Sequence, residues 1–169
     1  TLKPYRDPEF KFYTGVALLS TLVIALSLFR NSHYPTIIEC LRYSAFQVVS
    51  MMTTTGFVTA DFSLWPTITQ MTIVVLMFIG GCAGSTAGAI KCVRIQIVIK
   101  QITAEIKRFI HPQASVPILL GNKTITDKLA FSASTFIALY FIIFAVAAVM
   151  ISATGEDVVT SITAVAVTL

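Results

Sequence analysis

Gly80-Gly81-Cys82-Ala83-Gly84-Ser85-Thr86-Ala87-Gly88 interrupts a membrane-type segment and decides how the rest of the chain is read. The apolar stretch Ile68 to Ile79 leads into it, and the helical stretch Ile90 to Ile110 leads out. Glycine is the poorest helix former after proline. Four glycines within these nine positions therefore predict a loop. Irregular backbone at membrane depth survives only where protein buries it or water lines it. The segment implies an aqueous interior. About twenty-five positions upstream lies a second polar break, Thr53-Thr54-Thr55-Gly56-Phe57. Two such breaks along one path suggest ion movement.

Composition sets the class. The chain is 56% hydrophobic and only 12% charged, with a mean hydropathy of +0.83. Soluble domains carry roughly 25% charged residues. One long apolar run fits a soluble core, but several such runs fit a membrane protein. The N-terminus, Thr1 to Lys11, is polar and reads as a cytoplasmic lead-in, not as a cleavable signal peptide. Cys40, Cys82 and Cys92 form no CxxC pair and are odd in number, which argues against a disulfide framework or a zinc site. Cys82, among glycines, reads as a small packing residue.

Phe12 to Phe29 is the first predicted span, closed by Arg30-Asn31-Ser32-His33-Tyr34. Pro35 suits the first turn of a new helix, over about Thr36 to Met52. Glu39, Arg42 and Gln47 make that helix too polar to face lipid, so a short re-entrant helix ending at Thr53 is expected. Trp65 and Pro66 open the broken span, with Trp65 expected at a membrane interface. Its first half, Pro66 to Ile79, is too short to cross alone, at roughly 21 Å for a rise of 1.5 Å per residue. Leu129 to Ile151 is the last full span, and Asp157 to Leu169 is another short helix.

Charge sets the orientation. Lys3, Arg6 and Lys11 precede the first span, and Lys91, Arg94, Lys100, Lys107, Arg108, Lys123 and Lys128 lie between the broken span and the last one. Arg30 and Arg42 fall on the other side. The positive-inside rule places the first ten in the cytoplasm. Residues 1–11 and 91–128 are then cytoplasmic, and the Thr53–Phe57 break and Gly155-Glu156-Asp157 face outside. The N-glycosylation spelling Asn122-Lys123-Thr124 is discounted on that topology.

A repeat underlies the pattern. Phe12 to Met52 and Leu129 to Leu169 each hold an apolar span, a polar outer turn and a short amphipathic helix. Ser44 to Val49 can be laid against Ser161 to Ala166. The chain then stops where a second polar break is expected, as a piece of a longer protein would. The division is a lead-in at 1–11, a complete repeat at 12–110, a linker at 111–128, and the front of the next repeat at 129–169.

A short helix entering from outside directs the negative end of its dipole into the membrane at Thr53, which favours a cation. Thr54, Thr55 and Gly56 can turn backbone carbonyls toward a pore axis, where carbonyls replace the hydration shell of potassium. Taken alone, the five residues also spell an ordinary turn. One such segment cannot encircle an ion, so three others must come from elsewhere. In the longer loop, small side chains suit a narrow space, and glycines can absorb the dihedral change of a hinge. The Gly84–Gly88 spacing also fits a helix-packing contact, whereas a phosphate-loop pattern is missing.

These motifs together resemble the third repeat of the Trk/Ktr-type bacterial potassium uptake family. The resemblance rests on Thr53–Phe57, on Asp61-Phe62, on Gly80 through Lys91, and on His111-Pro112 after a basic helix. It implies an all-α integral membrane fold of membrane–pore-loop–membrane repeats, of which this partial chain holds the third and half of the fourth. It implies a selectivity filter at Thr53, Thr54, Thr55 and Gly56, with potassium at Thr54 and Thr55. Gly56, where a serine in related proteins goes with sodium, favours potassium. It implies a gate loop comprising Gly80, Gly81, Gly84, Ser85, Thr86, Gly88 and Lys91. Ala89 stands where the family usually has glycine, and makes the loop less flexible.

Two roles are open for Lys91: an electrostatic element of the gate, or a lysine reaching cytoplasmic water. Asp61 is expected to attract cations to the outer mouth, with turn capping as its alternative. Lys100, Lys107 and Arg108 are expected on a solvated, lipid-phosphate-facing or partner-docking surface.

The function expected is potassium uptake across the bacterial cytoplasmic (inner) membrane, with no bond made or broken. Potassium is the cargo, and no organic cofactor or nucleic acid is expected. The resemblance also implies a dimer, a lipid bilayer around it, and a cytosolic nucleotide-binding regulatory subunit. A secondary transporter of another cation or small solute with a broken-helix site is the rival. It predicts inverted repeats, whereas both copies here start inside. An intramembrane enzyme lacks its motifs, and a structural scaffold leaves the Thr-Thr-Thr-Gly break unexplained.

Overall fold

The computed structural model describes residues 7–111, 117–121 and 123–169. Lys3, Arg6, Pro112 and Asn122 lie outside them. Six α-helices are described: α1 Pro8–Arg30, α2 Ile37–Met52, α3 Thr67–Met77, α4 Cys92–Ile110, α5 Asp127–Ser152 and α6 Val158–Thr168. A 3₁₀ turn at Phe62–Leu64 precedes α3. The order of long apolar helix, turn and shorter helix occurs twice, as α1–α2 and as α5–α6.

α1 and α5, of 23 and 26 residues, are long and apolar enough to cross a membrane. A span needs about 20 residues at 1.5 Å each. α3 and α6 are apolar but shorter, at 11 residues apiece. α1 begins at an Asp7 cap, whose Oδ1 accepts the Glu9 N–H at 3.0 Å. α2 begins one residue later than expected. Thr36 is its cap, accepting the Glu39 N–H through Oγ1 at 3.3 Å. Pro35 therefore sits outside the helix, not in its first turn. The capping hydroxyl outranks proline here because it satisfies a helix N–H that would otherwise be orphaned.

The core joins α1, α2 and α3. Ile24 and Leu28 of α1, Cys40, Val48 and Met52 of α2, and Ile73 and Leu76 of α3 are buried together. Trp65 is only 3% exposed and packs in this cluster as a core residue. Lipid tails are as apolar as these side chains, so close van der Waals packing holds the helices together in a bilayer. A second cluster joins Ile97 and Ala104 of α4, Ala130 and Ala133 of α5, and Ile118. Gln47, expected to mark α2 as polar, is 1% exposed.

The expectation of an all-α chain needs one addition. The linker carries an antiparallel hairpin, β1 Ile118–Leu120 and β2 Lys123–Ile125, paired Ile118 to Ile125 and Leu120 to Lys123. Gly121 takes φ 60° in its turn. Three-residue strands are too short to show a period-2 pattern in sequence. The hairpin packs on α4, where Lys100 Nζ donates to the Leu119 carbonyl. Lys100 is thus tied into the linker. Arg94 lies over the Phe136 ring at 3.8 Å, linking α4 to α5.

Candidate filter segment and glycine-rich loop

The end of α2 turns sharply. Its last carbonyls are collected by the following backbone. Thr53 N–H donates to Val49 O at 2.9 Å, Thr54 N–H to Met51 O at 3.0 Å, and Thr55 N–H to Ser50 O at 3.0 Å. Gly56 N–H also reaches Ser50 O, at 3.4 Å. These bonds satisfy carbonyls that a helix end leaves orphaned. They also use every N–H from Thr53 to Gly56. No hydrogen bond among the described residues ends on the carbonyls of those four residues. The segment thus presents backbone acceptors whose own N–H groups are used.

Its torsions explain the composition. Thr54 has φ 55° and Gly56 has φ 77°, both left-handed, with Thr55 between them on the ordinary side. A β-carbon at Gly56 would meet nothing within 4 Å. Glycine is therefore required for its torsion, not for space. Thr54 holds the same region despite its branched β-carbon, at a cost of about 1–2 kcal/mol. Side chains brace the turn: Thr53 Oγ1 donates to Val49 O at 2.7 Å and lies 2.7 Å from Thr55 Oγ1. Ser50 Oγ donates to Phe57 O at 2.6 Å and fixes the far end. Ser50 has no signal in the sequence, because a serine within a helix carries no distinguishing pattern.

The glycine-rich segment is a closed loop with a narrow neck. Ile79 and Ile90 form a bridge, with Gly80 N–H donating to Ile90 O at 2.9 Å and Ile90 N–H to Phe78 O at 3.2 Å. Cys92 N–H donates to Gly81 O at 3.2 Å. A β-carbon at Gly80 would sit 2.2 Å from the Gly88 carbonyl, so this close approach requires glycine. One at Gly81 would sit 2.4 Å from Ser85 Oγ, and one at Gly84 would meet nothing. None of these residues is helical, which removes the helix-packing reading of Gly84 and Gly88. The outgoing helix starts at Cys92, not Ile90, because Ile90 is held in the neck. Ala89 has φ 56°, so the residue expected only to stiffen the loop holds a left-handed turn at about 1–2 kcal/mol. Thr86 is exposed, and Ser85 Oγ is buried without a partner among the described residues.

Of the two roles given for Lys91, a lysine reaching freely into water is not the one seen. Its Nζ folds back and donates to Ala83 O at 3.0 Å and to Ser85 O at 3.1 Å. Asp61 is exposed and bonded locally: Oδ1 accepts the Ser63 N–H at 2.9 Å and the Ser63 hydroxyl at 2.6 Å. These two bonds, the hydroxyl first, hold its carboxyl below the ordinary carboxylate range. Asp61 is thus a turn cap, the alternative given above for it. His111 ends α4 as expected.

The two breaks meet. Gly88 N–H donates to Thr54 Oγ1 at 3.3 Å, across 34 positions of sequence. A cavity of about 70 Å³ lies beside Thr54 and Gly56, walled by Met77 of α3 and Ala166 of α6. The C-terminal end of α6 also reaches the loop, with Leu169 O at 3.7 Å from a β-carbon placed on Gly88. The ends of α2 and α6 thus converge on one place.

The TrkH model, described as a cation transport protein, matches residues 14–169. The chain belongs to the TrkH family of cation transport proteins. It is 38% identical over 170 residues to the Trk system potassium uptake protein TrkH of Salmonella typhimurium, covering 100% of this chain and 35% of that protein. It is 34% identical over 167 residues to TrkG of Escherichia coli, covering 98% of this chain and 34% of that one. The crystal structure of the potassium transporter TrkH from Vibrio parahaemolyticus superimposes with a TM-score of 0.90 at 34% identity. That match covers 96% of this chain and 35% of the transporter's. The chain therefore spans about a third of the length of the relatives it matches. The expected resemblance and the helical membrane fold are both borne out by these matches.

Proposed function

We propose that this chain supplies part of a potassium uptake path, with Thr53, Thr54, Thr55 and Gly56 as one wall of a selectivity filter and Gly80–Gly88 as a gate below it. One observation carries the filter reading: all four N–H groups of Thr53–Gly56 are consumed by α2, and the four carbonyls are left unbonded. Carbonyls so placed replace water around a dehydrated cation. The negative ends of α2 and α6 both approach the site, and each favours positive charge within about one helical turn. Family membership supports potassium as the cargo, since the relatives named above are potassium uptake proteins or a potassium transporter. The contact of Gly88 with Thr54 supports the gate reading, because it sets the loop against the filter segment.

Potassium entry would be drawn by the membrane potential, which contributes about 2.3 kcal/mol per charge per 100 mV. Residues 12–110 form one repeat and 129–169 the front of the next, in the bacterial inner membrane, with the ten clustered cations inside. Further filter walls come from other repeats of the same polypeptide. A second copy and a cytosolic nucleotide-binding subunit complete the assembly. The test uses the full-length protein in a cell deficient in potassium transport. Uptake should be restored, and deletion of residues 81–88 should raise passive flux. A folded deletion with unaltered flux would remove the gate, and a protein that restores no uptake would remove the cargo.

A further inference from the structure

Ala83, near the tip of the glycine-rich loop, is gripped on both sides of its backbone. Its N–H donates to Glu9 Oε1 at 2.7 Å, across 74 positions of sequence. Its carbonyl accepts from Lys91 Nζ at 3.0 Å, and the same ammonium holds Ser85 O at 3.1 Å. A carboxylate and an ammonium thus act on one residue through charge-assisted hydrogen bonds, roughly twice as strong as neutral ones. We propose that Glu9 and Lys91 form a clamp that holds the loop in the position seen here, and that the first turn of α1 controls its release. This inference rests on the gate reading above.

The placement of Glu9 supports a controlling role. It sits in the first turn of α1, where the helix dipole favours a carboxylate. That turn is itself held from the cytoplasmic linker side. Gln96 of α4 is buried, and its Nε2 donates to Pro8 O at 3.2 Å. The hairpin turn abuts Pro8 too, since a β-carbon at Gly121 would lie 3.2 Å from Pro8 Cγ. α4, the hairpin and the loop thus converge on two adjacent residues. A displacement of α4 or the hairpin has a direct mechanical route to Ala83. Nothing else on the loop's exposed side restrains it as firmly: Gly84 and Thr86 make no hydrogen bond among the described residues.

The test uses the full-length protein in liposomes, with passive potassium flux as one readout. The second readout is the modification rate of Cys82, next to Ala83, by a water-soluble thiol reagent, in a variant whose other cysteines are replaced. Glu9→Ala should raise flux about tenfold, as expected for loss of one charge-assisted hydrogen bond, and speed Cys82 modification in parallel. Lys91→Met should do the same. Asp7→Asn weakens the cap of the same helix and, like Glu9→Ala, removes a negative charge near Cys82, without touching the loop; it should leave flux unchanged and quicken Cys82 modification less than Glu9→Ala does. If deletion of residues 81–88 raises flux but Glu9→Ala does not, the clamp is wrong and the gate stands. If neither raises flux, the gate reading fails and takes the clamp with it. Equal effects of Asp7→Asn and Glu9→Ala overturn the clamp in favour of a general loosening of α1.

Discussion

Gly56→Ala isolates torsion from packing. At φ 77°, a β-carbon at Gly56 meets no atom within 4 Å, so the substitution creates no clash and the fold is expected to persist. What remains is the cost of holding an L-residue in the left-handed region, about 1–2 kcal/mol. At 1.4 kcal/mol per factor of ten, that is roughly a five- to thirtyfold fall in the population of the observed conformation. If that conformation is the selective one, the potassium-to-sodium permeability ratio should fall by a similar factor. Gly56→Asn should fall less, because asparagine tolerates this region. The assay is parallel potassium and sodium flux of the full-length protein in liposomes, with thermal unfolding checked on the same samples. Two results would refute the reasoning. A ratio unchanged in Gly56→Ala would show that this glycine does not shape the filter. Equal losses in the alanine and asparagine variants would show that something other than torsion is at work.

The loop makes a paired prediction. Gly80→Ala forces a β-carbon to 2.2 Å from the Gly88 carbonyl and should open the neck, raising flux or blocking assembly, whereas Gly84→Ala meets nothing and should match the parent in both. Ser50→Ala removes the 2.6 Å bond to Phe57 O. It should cost about 1 kcal/mol and lower potassium selectivity, as read by the same flux ratio, without changing the amount of folded protein. Asp61 supplies a prediction in pH. Its lowered pKa means that its capping contributes fully above the ordinary value near 3.8 and is lost as pH falls through the lower folded value. Ser63→Ala removes both the hydroxyl bond and its lowering effect, so the Asp61 midpoint, followed by NMR of its carboxyl carbon, should move up; an unmoved midpoint would contradict the assignment.

Much of the fold could be read directly. Spans at α1 and α5 follow from runs of apolar residues, and the short α2 follows from Glu39, Arg42 and Gln47 within a membrane-type segment. Both breaks were found because glycine and threonine clusters are local signals. The burial of Trp65 is not legible, because residue type gives only an average preference and packing against α1–α3 decides the contact. Pro35 falls outside the helix because Thr36 takes the capping position. The β1–β2 hairpin was missed because three residues carry no period. Ser50 and Glu9 carry no distinguishing signal in the sequence, since one reads as a helical serine and the other as a first-turn acid.

By itself, the amino-acid sequence determined the membrane class, the places where helices must break and the asymmetry of charge. All of these depend on residue type within a few positions of the chain. Only the tertiary structure decided that Lys91 folds onto the loop, that Glu9 meets Ala83, and that Gly88 touches Thr54. Two of these contacts join residues 34 and 74 positions apart. Lys91, only 8 positions from Ala83, still depends on the folded shape of the loop. No local pattern encodes such a pairing, because it arises from how packed helices bring two backbone breaks to the same place.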